Sequence, residues 1–427
     1  MRQVNQTGNR SISPRTAGAI FLAAGLFLAR LVGAGEVVGS SAHSTLPAGT
    51  LLYLRLENAV STKSSHLKAP VSARVVREVR SQTANGAVRI PVGTVVRGII
   101  DKVIPSSSPT DRAKLRLKFT QLELPGGPPV PIVGRVSEVE NARESVLPDG
   151  SILGVLASEL PVKMIEDAIE KVKKTNPGVG EEAQKASEMT LGKGDTSIEY
   201  PAGTDLAFTL EQPLTVNRTF PPATSDELTA AATEAIARLL EDAPQRSRGK
   251  DGKPADPLNL IFIGAVEQVR KAFAAAGWVE AEKLTGKSLF ETVRAVVVNR
   301  GYGSAPVSQL YLYGRPEDLA FQKMLNTFAK RHHLRIWKSP TATSDGREVW
   351  LSAATHDTGF DVRPGVVSHA IDPEIDKERD KVAADLIMTG SVASARLVTR
   401  ASPLSEGLTA TGAPWKTDGR LFALELK

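Results

Sequence analysis

Arg331-His-His-Leu-Arg-Ile-Trp337 is followed by Trp350-Leu-Ser-Ala-Ala-Thr-His-Asp357 and by His369-Ala-Ile-Asp-Pro-Glu-Ile-Asp-Lys-Glu-Arg-Asp380. The first two runs read as strands, over Leu334 to Lys338 and Glu348 to Ala354. The third reads as a strand over 366–371 that leads into a helix over 372–389. Strand alternation sends His333, Arg335 and Trp337 to one face and His332, Leu334 and Ile336 to the other. Asp372 before Pro373 suits a helix N-cap, with Pro at the first helical position and Glu374 in the first turn. Asp376 and Asp380 border an apolar stripe of Ile375, Val382, Ala383, Leu386 and Ile387. Two acids at i,i+4 repel and need a cation when partly buried. Arg331, Arg335 and Arg379 qualify. Arg335 is expected to meet His369, Asp372 and Asp376.

Around this stretch, Leu258 to Ile263 reads as a buried strand. A helix follows Gly264 to Ala276 and ends at Gly277. A helix is expected over 288–299, a strand over 309–313, and a helix start at Gly314-Arg-Pro-Glu-Asp-Leu319. Strands over 391–399 and 421–426 close the chain. Helices and strands mix without a βαβ repeat, so residues 257–427 read as an α+β domain.

The other half is organised by a turn that occurs three times, Leu46-Pro-Ala-Gly-Thr50, Ile90-Pro-Val-Gly-Thr94 and Tyr200-Pro-Ala-Gly-Thr204. Each reads as a type I turn, with Pro second and Gly fourth, feeding a strand. Residues 113–124 alternate Leu115, Leu117 and Phe119 against Lys114, Arg116 and Lys118, one strand of a hairpin with a buried face. Its basic outer face reads as solvated edge protection rather than a polyanion site. The fold class is therefore multidomain: a mainly-β barrel or sandwich over 43–217 with a helical insert at 158–176, then the α+β domain. Residues 218–256 read as a helix at 224–240 and a charged linker, Ala243 to Pro257, that marks the domain boundary.

Net charge is +6, from 53 basic and 47 acidic residues spread along the chain. A polyanion partner would want clustering, so there is no strong nucleic-acid signal. The chain has no cysteine. Disulfides, thiolate metal sites and cysteine nucleophiles are excluded. Arg2, Arg10 and Arg15 precede an apolar run, Ala17 to Ala29. That is short of the roughly 20 residues a span needs and suits a signal-peptide core. Residues 1–42 thus read as a signal cleaved after Ala34 or Ala42, or as an inner-membrane anchor over 17–38. The expected location is periplasmic or extracellular, with membrane contact only through this segment.

The chemistry-bearing candidates are His332, His333, Arg335, His356, Asp357, His369, Asp372, Asp376 and Arg379, with Asp361 nearby. His imidazoles and carboxylates suit a divalent metal ion, and His333, His356 and His369 are its candidate ligands. The competing reading is a structural Arg–Asp–His network. No Gly-x-Ser-x-Gly, P-loop or dinucleotide fingerprint is present.

Residues 257–390 resemble the LssY C-terminal domain family. The resemblance is carried by Pro257, Asn259, Phe262, Ala276-Gly-Trp278, Ser308, Leu310-Tyr311, Gly314-Arg315, His332-His-Leu-Arg-Ile-Trp337, Trp350, Ala354-Thr355, Asp357, His369, Ile371-Asp-Pro373, Asp376 and Glu378-Arg379. A Gly often stands in the family where this chain has Ser352. The family takes its name from a proposed type I secretion component, and the resemblance supplies no catalytic residue. Through the repeated Pro-x-Gly-Thr openings and the helical insert, residues 46–217 resemble the β domains of TrbI-type conjugation proteins. Together these imply an envelope protein that binds a partner or assists secretion, with envelope or secretion-system proteins as partners. The alternative is an extracytoplasmic metal-dependent hydrolase, of the phosphoesterase kind, using the His/Asp/Arg cluster.

Overall fold

Alternating burial along 51–56, with Leu52, Leu54 and Leu56 buried between more exposed neighbours, sets the pattern of the first half. The computed structural model describes residues 44–80, 87–108, 110–159, 196–281, 309–323, 330–363 and 366–427. The expected signal, all but the start of the helical insert, and the helix at 288–299 lie outside the described residues. Six strands carry the first half: β1 (Leu51–Leu56), β2 (Pro70–Val75), β3 (Val95–Ile104), β4 (Lys114–Glu123), β5 (Gly134–Val139) and β6 (Asp205–Leu210). They pair antiparallel in the order β5-β6-β1-β2-β3-β4, and short strands extend the sheet beyond β4. The result is a nearly closed barrel. Its core holds Leu52, Leu54, Val96, Leu117, Phe119 and Phe208. β3 carries bulges against β4 at Arg97/Gly98 and Ile100/Lys102, which let a long strand bend around the barrel. A Cβ on Gly98 would collide with the Lys118 carbonyl, so only glycine fits this crossing.

The three repeated turns are alike and differ from the expected type. Thr50, Thr94 and Thr204 each donate both amide and hydroxyl to the Pro carbonyl three residues back. Pro is thus the first residue of the turn and Gly the third. Gly49, Gly93 and Gly203 have φ of 87°, 84° and 93°, the positive value a type II turn demands at that position. Each Gly amide also donates to a neighbouring strand, at Leu210, Val75 and Leu56. The third turn ends directly at Asp205, the first residue of β6.

In the second half, α1 (Ala230–Asp242) is capped by Thr229, whose hydroxyl accepts the Ala232 amide. The stretch expected as a linker folds: Arg246–Arg248 pairs with Pro254–Pro257 and with Tyr311–Leu312, and Ser247 and Ala255 are fully buried. The main sheet contains β7 (Leu260–Ile263), β8 (Leu319–Lys323), β9 (Lys330–Ala342), β10 (Glu348–Arg363), β11 (Val366–Ile371), β12 (Val392–Thr399) and β13 (Arg420–Leu426). Its order is β8-β9-β10-β7-β13-β12, with β11 on β10, and only β7 and β13 run parallel. Two helices, α2 (Val266–Ala275) and α3 (Asp376–Met388), cover one face through Phe273, Val382 and Leu386. The other face packs α1 against Trp337, Ile261 and Leu351. These three are the α-helices among the described residues. The mainly-β half followed by an α+β half agrees with the sequence reading.

Two expectations fail locally. No helix starts at Gly314. Tyr313 and Gly314 have φ of 53° and 75° and turn the chain, so that Tyr311 faces Pro316. Leu319, Phe321 and Lys323 then alternate inward opposite Ile336, Leu334 and His332. A period of two outweighs the helix-start signal of Pro316. The helix expected from Asp372 begins at Asp376 with Ile375 at its N-cap position. Asp372 instead closes a local turn, its Oδ1 accepting the Glu374 amide at 2.9 Å.

Candidate functional site

Helix α3 presents Glu378, Lys381 and Asp385 at steps of three and four, one stripe beside its apolar face. All three are buried. The stripe meets the outside of the barrel, where Arg55 of β1 and Asp205 of β6 stand directly opposite each other in register. Arg55 Nε donates to Asp205 Oδ1 at 2.7 Å, and its Nη2 to Asp385 Oδ1 at 2.6 Å. Lys381 Nζ bridges Asp205 at 2.5 Å and Asp385 at 2.8 Å. Lys323, at the end of β8, donates to Asp385 Oδ2 at 3.1 Å, and Trp278 Nε1 donates to the same oxygen at 2.9 Å.

The network continues through His332. Its Nδ1 lies 2.7 Å from Glu378 Oε2 and its Nε2 lies 3.3 Å from Glu140 Oε1, just past β5. His356, opposite His332 in the β9–β10 register, stacks on it with ring centroids 4.4 Å apart. His356 Nε2 lies 2.6 Å from Asn141 Oδ1. Burial would depress the His332 imidazole, but the Glu378 and Glu140 carboxylates outweigh it and raise it to about 10. Burial likewise opposes ionisation of Glu140, but Lys381 and His332 hold it down at about 2. Burial, then the charge on His332, lowers His356 to about 3. Burial pushes the Glu378 carboxyl up, so it and His332 hold one shared proton tightly. Glu140 and Lys381 favour placing that proton on His332. Arg55, Lys323, Lys381 and the His332 imidazolium then balance Glu140, Asp205, Glu378 and Asp385.

The remaining sequence candidates are dispersed. His333, Arg335, Arg331 and Asp357 project from the face opposite α3. Arg331 Nε donates to Asp357 Oδ2 at 2.8 Å, and His333 Nε2 lies 3.1 Å from Thr355 Oγ1. Arg335 pairs with Asp256 at 3.3 Å, on the α1 side of the sheet. It therefore does not meet Asp376. The cation there is Arg379, buried and bonded to Asp376, Asp380 and Asp418 at 3.1, 2.8 and 2.7 Å. Asp372 pairs with Lys377 at 3.1 Å. His333 and His356 lie on opposite faces, so the expected His333–His356–His369 ligand set does not form. His369 pairs through its backbone with Phe360. The side chains of His369 and Asp361 lie outside what is described. Sequence reasoning missed Arg55, Glu140, Asn141, Asp205, Lys323, Lys381 and Asp385. One available signal was the stripe Glu378, Lys381, Asp385 beside the buried stripe of α3.

A separate cavity of about 620 Å³ lies by the short strands of the second half, lined by Arg246, Arg248, Tyr311, Tyr313, Pro244 and Leu404 among others. Arg246 donates to the carbonyls of Ala255 and Leu408, and its guanidinium sits 5.3 Å from the Trp415 ring centroid. Arg248 donates to the Gly252 carbonyl at 2.9 Å. Among the described residues neither has a carboxylate in salt-bridge range.

Residues 240–421 match the family model described as LssY C-terminus. The match agrees with the resemblance read over residues 257–390 and reaches beyond that span at both ends. It takes in α1's end and the folded stretch expected as a linker. No curated protein matches the chain. Among the described residues no helix is long and apolar enough to cross a membrane.

Proposed function

We propose that this is an exported envelope protein that binds a partner or assists secretion, and that its binding site is the cavity beside Arg246–Arg248. The carrying observation is two guanidinium groups with no carboxylate in salt-bridge range among the described residues, next to Tyr311 and Tyr313, in about 620 Å³ of space. A cation with no carboxylate in salt-bridge range favours an anionic ligand, and arginine offers paired donors to carboxylates. The tyrosine rings suit an apolar or aromatic neighbour on that ligand. An acidic, aromatic-bearing peptide segment of an envelope partner meets both demands. The basic start and apolar run of residues 1–29 support export. The TrbI-like turns of the barrel support an envelope setting. The hydrolase alternative needs an open position at the His/acid cluster, but His332, Glu378, Lys381 and Asp385 are buried between barrel and sheet, which favours binding over hydrolysis.

Fluorescence anisotropy of a labelled Glu/Phe peptide with the full chain tests this. Binding should weaken with salt, drop by about tenfold in Arg248→Glu, and largely survive in Arg248→Lys. Absence of binding, or equal binding by Arg248→Glu, would reject the cavity as the site.

A further inference from the structure

We propose that His332, His356 and Glu378 form a binding site for a divalent transition-metal ion, zinc in the first instance, that clamps the α+β half to the barrel. One donor atom from each lies within 4.8 Å of the others. Three separate elements supply them, and each is held by the fold. His332 and His356 are cross-strand partners on β9 and β10, and Glu378 hangs over them from the first turns of α3. Two imidazoles and a carboxylate are a zinc donor set. The barrel closes the site from the other side with Glu140 and Asn141. His332 and Glu378 are buried and His356 is half-buried, which fits a closed, structural ion rather than one that activates water.

A second observation points the same way. Glu378 Oε1 is buried and makes no hydrogen bond, and His332 Nε2 faces Glu140 without a well-aligned one. Buried polar atoms are nearly always satisfied, so such a group implies a missing partner. Imidazole and carboxylate must be free of protons to ligate a metal, so binding weakens at low pH.

The test uses the full chain, stripped with EDTA and titrated with zinc chloride by calorimetry. Metal content is measured after dialysis. The expected result is one zinc per chain and a rise in Tm. His356→Gln keeps the Glu140–His332–Glu378 arrangement but removes a ligand. It should weaken zinc by more than about 100-fold, beyond the loss of a supporting hydrogen bond, and abolish the zinc-dependent rise in Tm. His333→Gln, on the opposite face, should bind zinc as the parent does. If the parent holds no stoichiometric zinc, or His356→Gln binds it equally well, the site is an ionic network only. Should His356→Gln not fold, Glu378→Gln provides the same comparison, with the same two outcomes. None of these readouts touches the cavity at Arg248, so failure here leaves the peptide-binding reading standing.

Discussion

Arg55 Nη2 lies 2.6 Å from Asp385 Oδ1, joining a barrel strand to a helix 330 residues further along the chain. The Asp385 side chain is fully buried, and it also receives Lys323, Lys381 and Trp278. One carboxylate thus accepts three cations and an indole at the junction of two folded halves. A group in that position answers for more than one contact when it is removed.

Asp385→Asn is therefore expected to destabilise the chain by about 3–5 kcal/mol, because three buried cations would face one fewer negative charge. Urea unfolding of the full chain measures it. In a double-mutant cycle, Arg55→Ala and Asp385→Asn should couple by more than about 0.5 kcal/mol. Strict additivity would mean the two halves are not tied through this pair.

Stability should peak near pH 6.5. The folded pKa of His332 is raised to about 10, so its contribution is complete below the unfolded value of 6.5 and is lost as pH rises toward 10. His356 is lowered to about 3, so it costs stability as pH falls from 6.5 toward 3. Glu140, lowered to about 2, adds a further loss between 4.5 and 2. Urea midpoints across pH should show His332→Gln flattening the alkaline limb and His356→Gln the limb below 6.5. Parallel curves for all three proteins would contradict the assignment.

Arg379 and Arg335 should behave as independent sites. Arg379→Ala should cost about 3 kcal/mol, since it leaves Asp376, Asp380 and Asp418 without their shared cation. Arg335→Ala leaves Asp256 unpaired instead. A cycle between Arg335→Ala and Asp376→Ala should give a coupling within about 0.5 kcal/mol of zero. A larger value would place the two in one network after all.

Much of the fold was legible because local sequence carries local periodicity. The alternation of residues 331–337 separated His332 from His333 correctly, and the strand at 366–371 falls where it was read. The apolar stripe of α3 is buried as its spacing requires. The recurring Pro-x-Gly-Thr marked three true turns, although their type follows from the glycine φ rather than from proline's position. The failures at Gly314 and Asp372 were contests between a start signal and a neighbouring period or turn.

What only the tertiary structure decided is which face meets which. Alternation states that Arg335 and His332 point to opposite sides of β9, but not that α3 covers the His332 side. That choice gave Arg335 to Asp256 and left Asp376 to Arg379. The same holds for Arg55 and Asp205, which face each other on the outside of the barrel. Docking a distant helix over them made their charges buried and mutually dependent. Strand and helix periods are set by bonds between near neighbours, whereas burial of an outer face depends on a surface that the chain supplies hundreds of residues later.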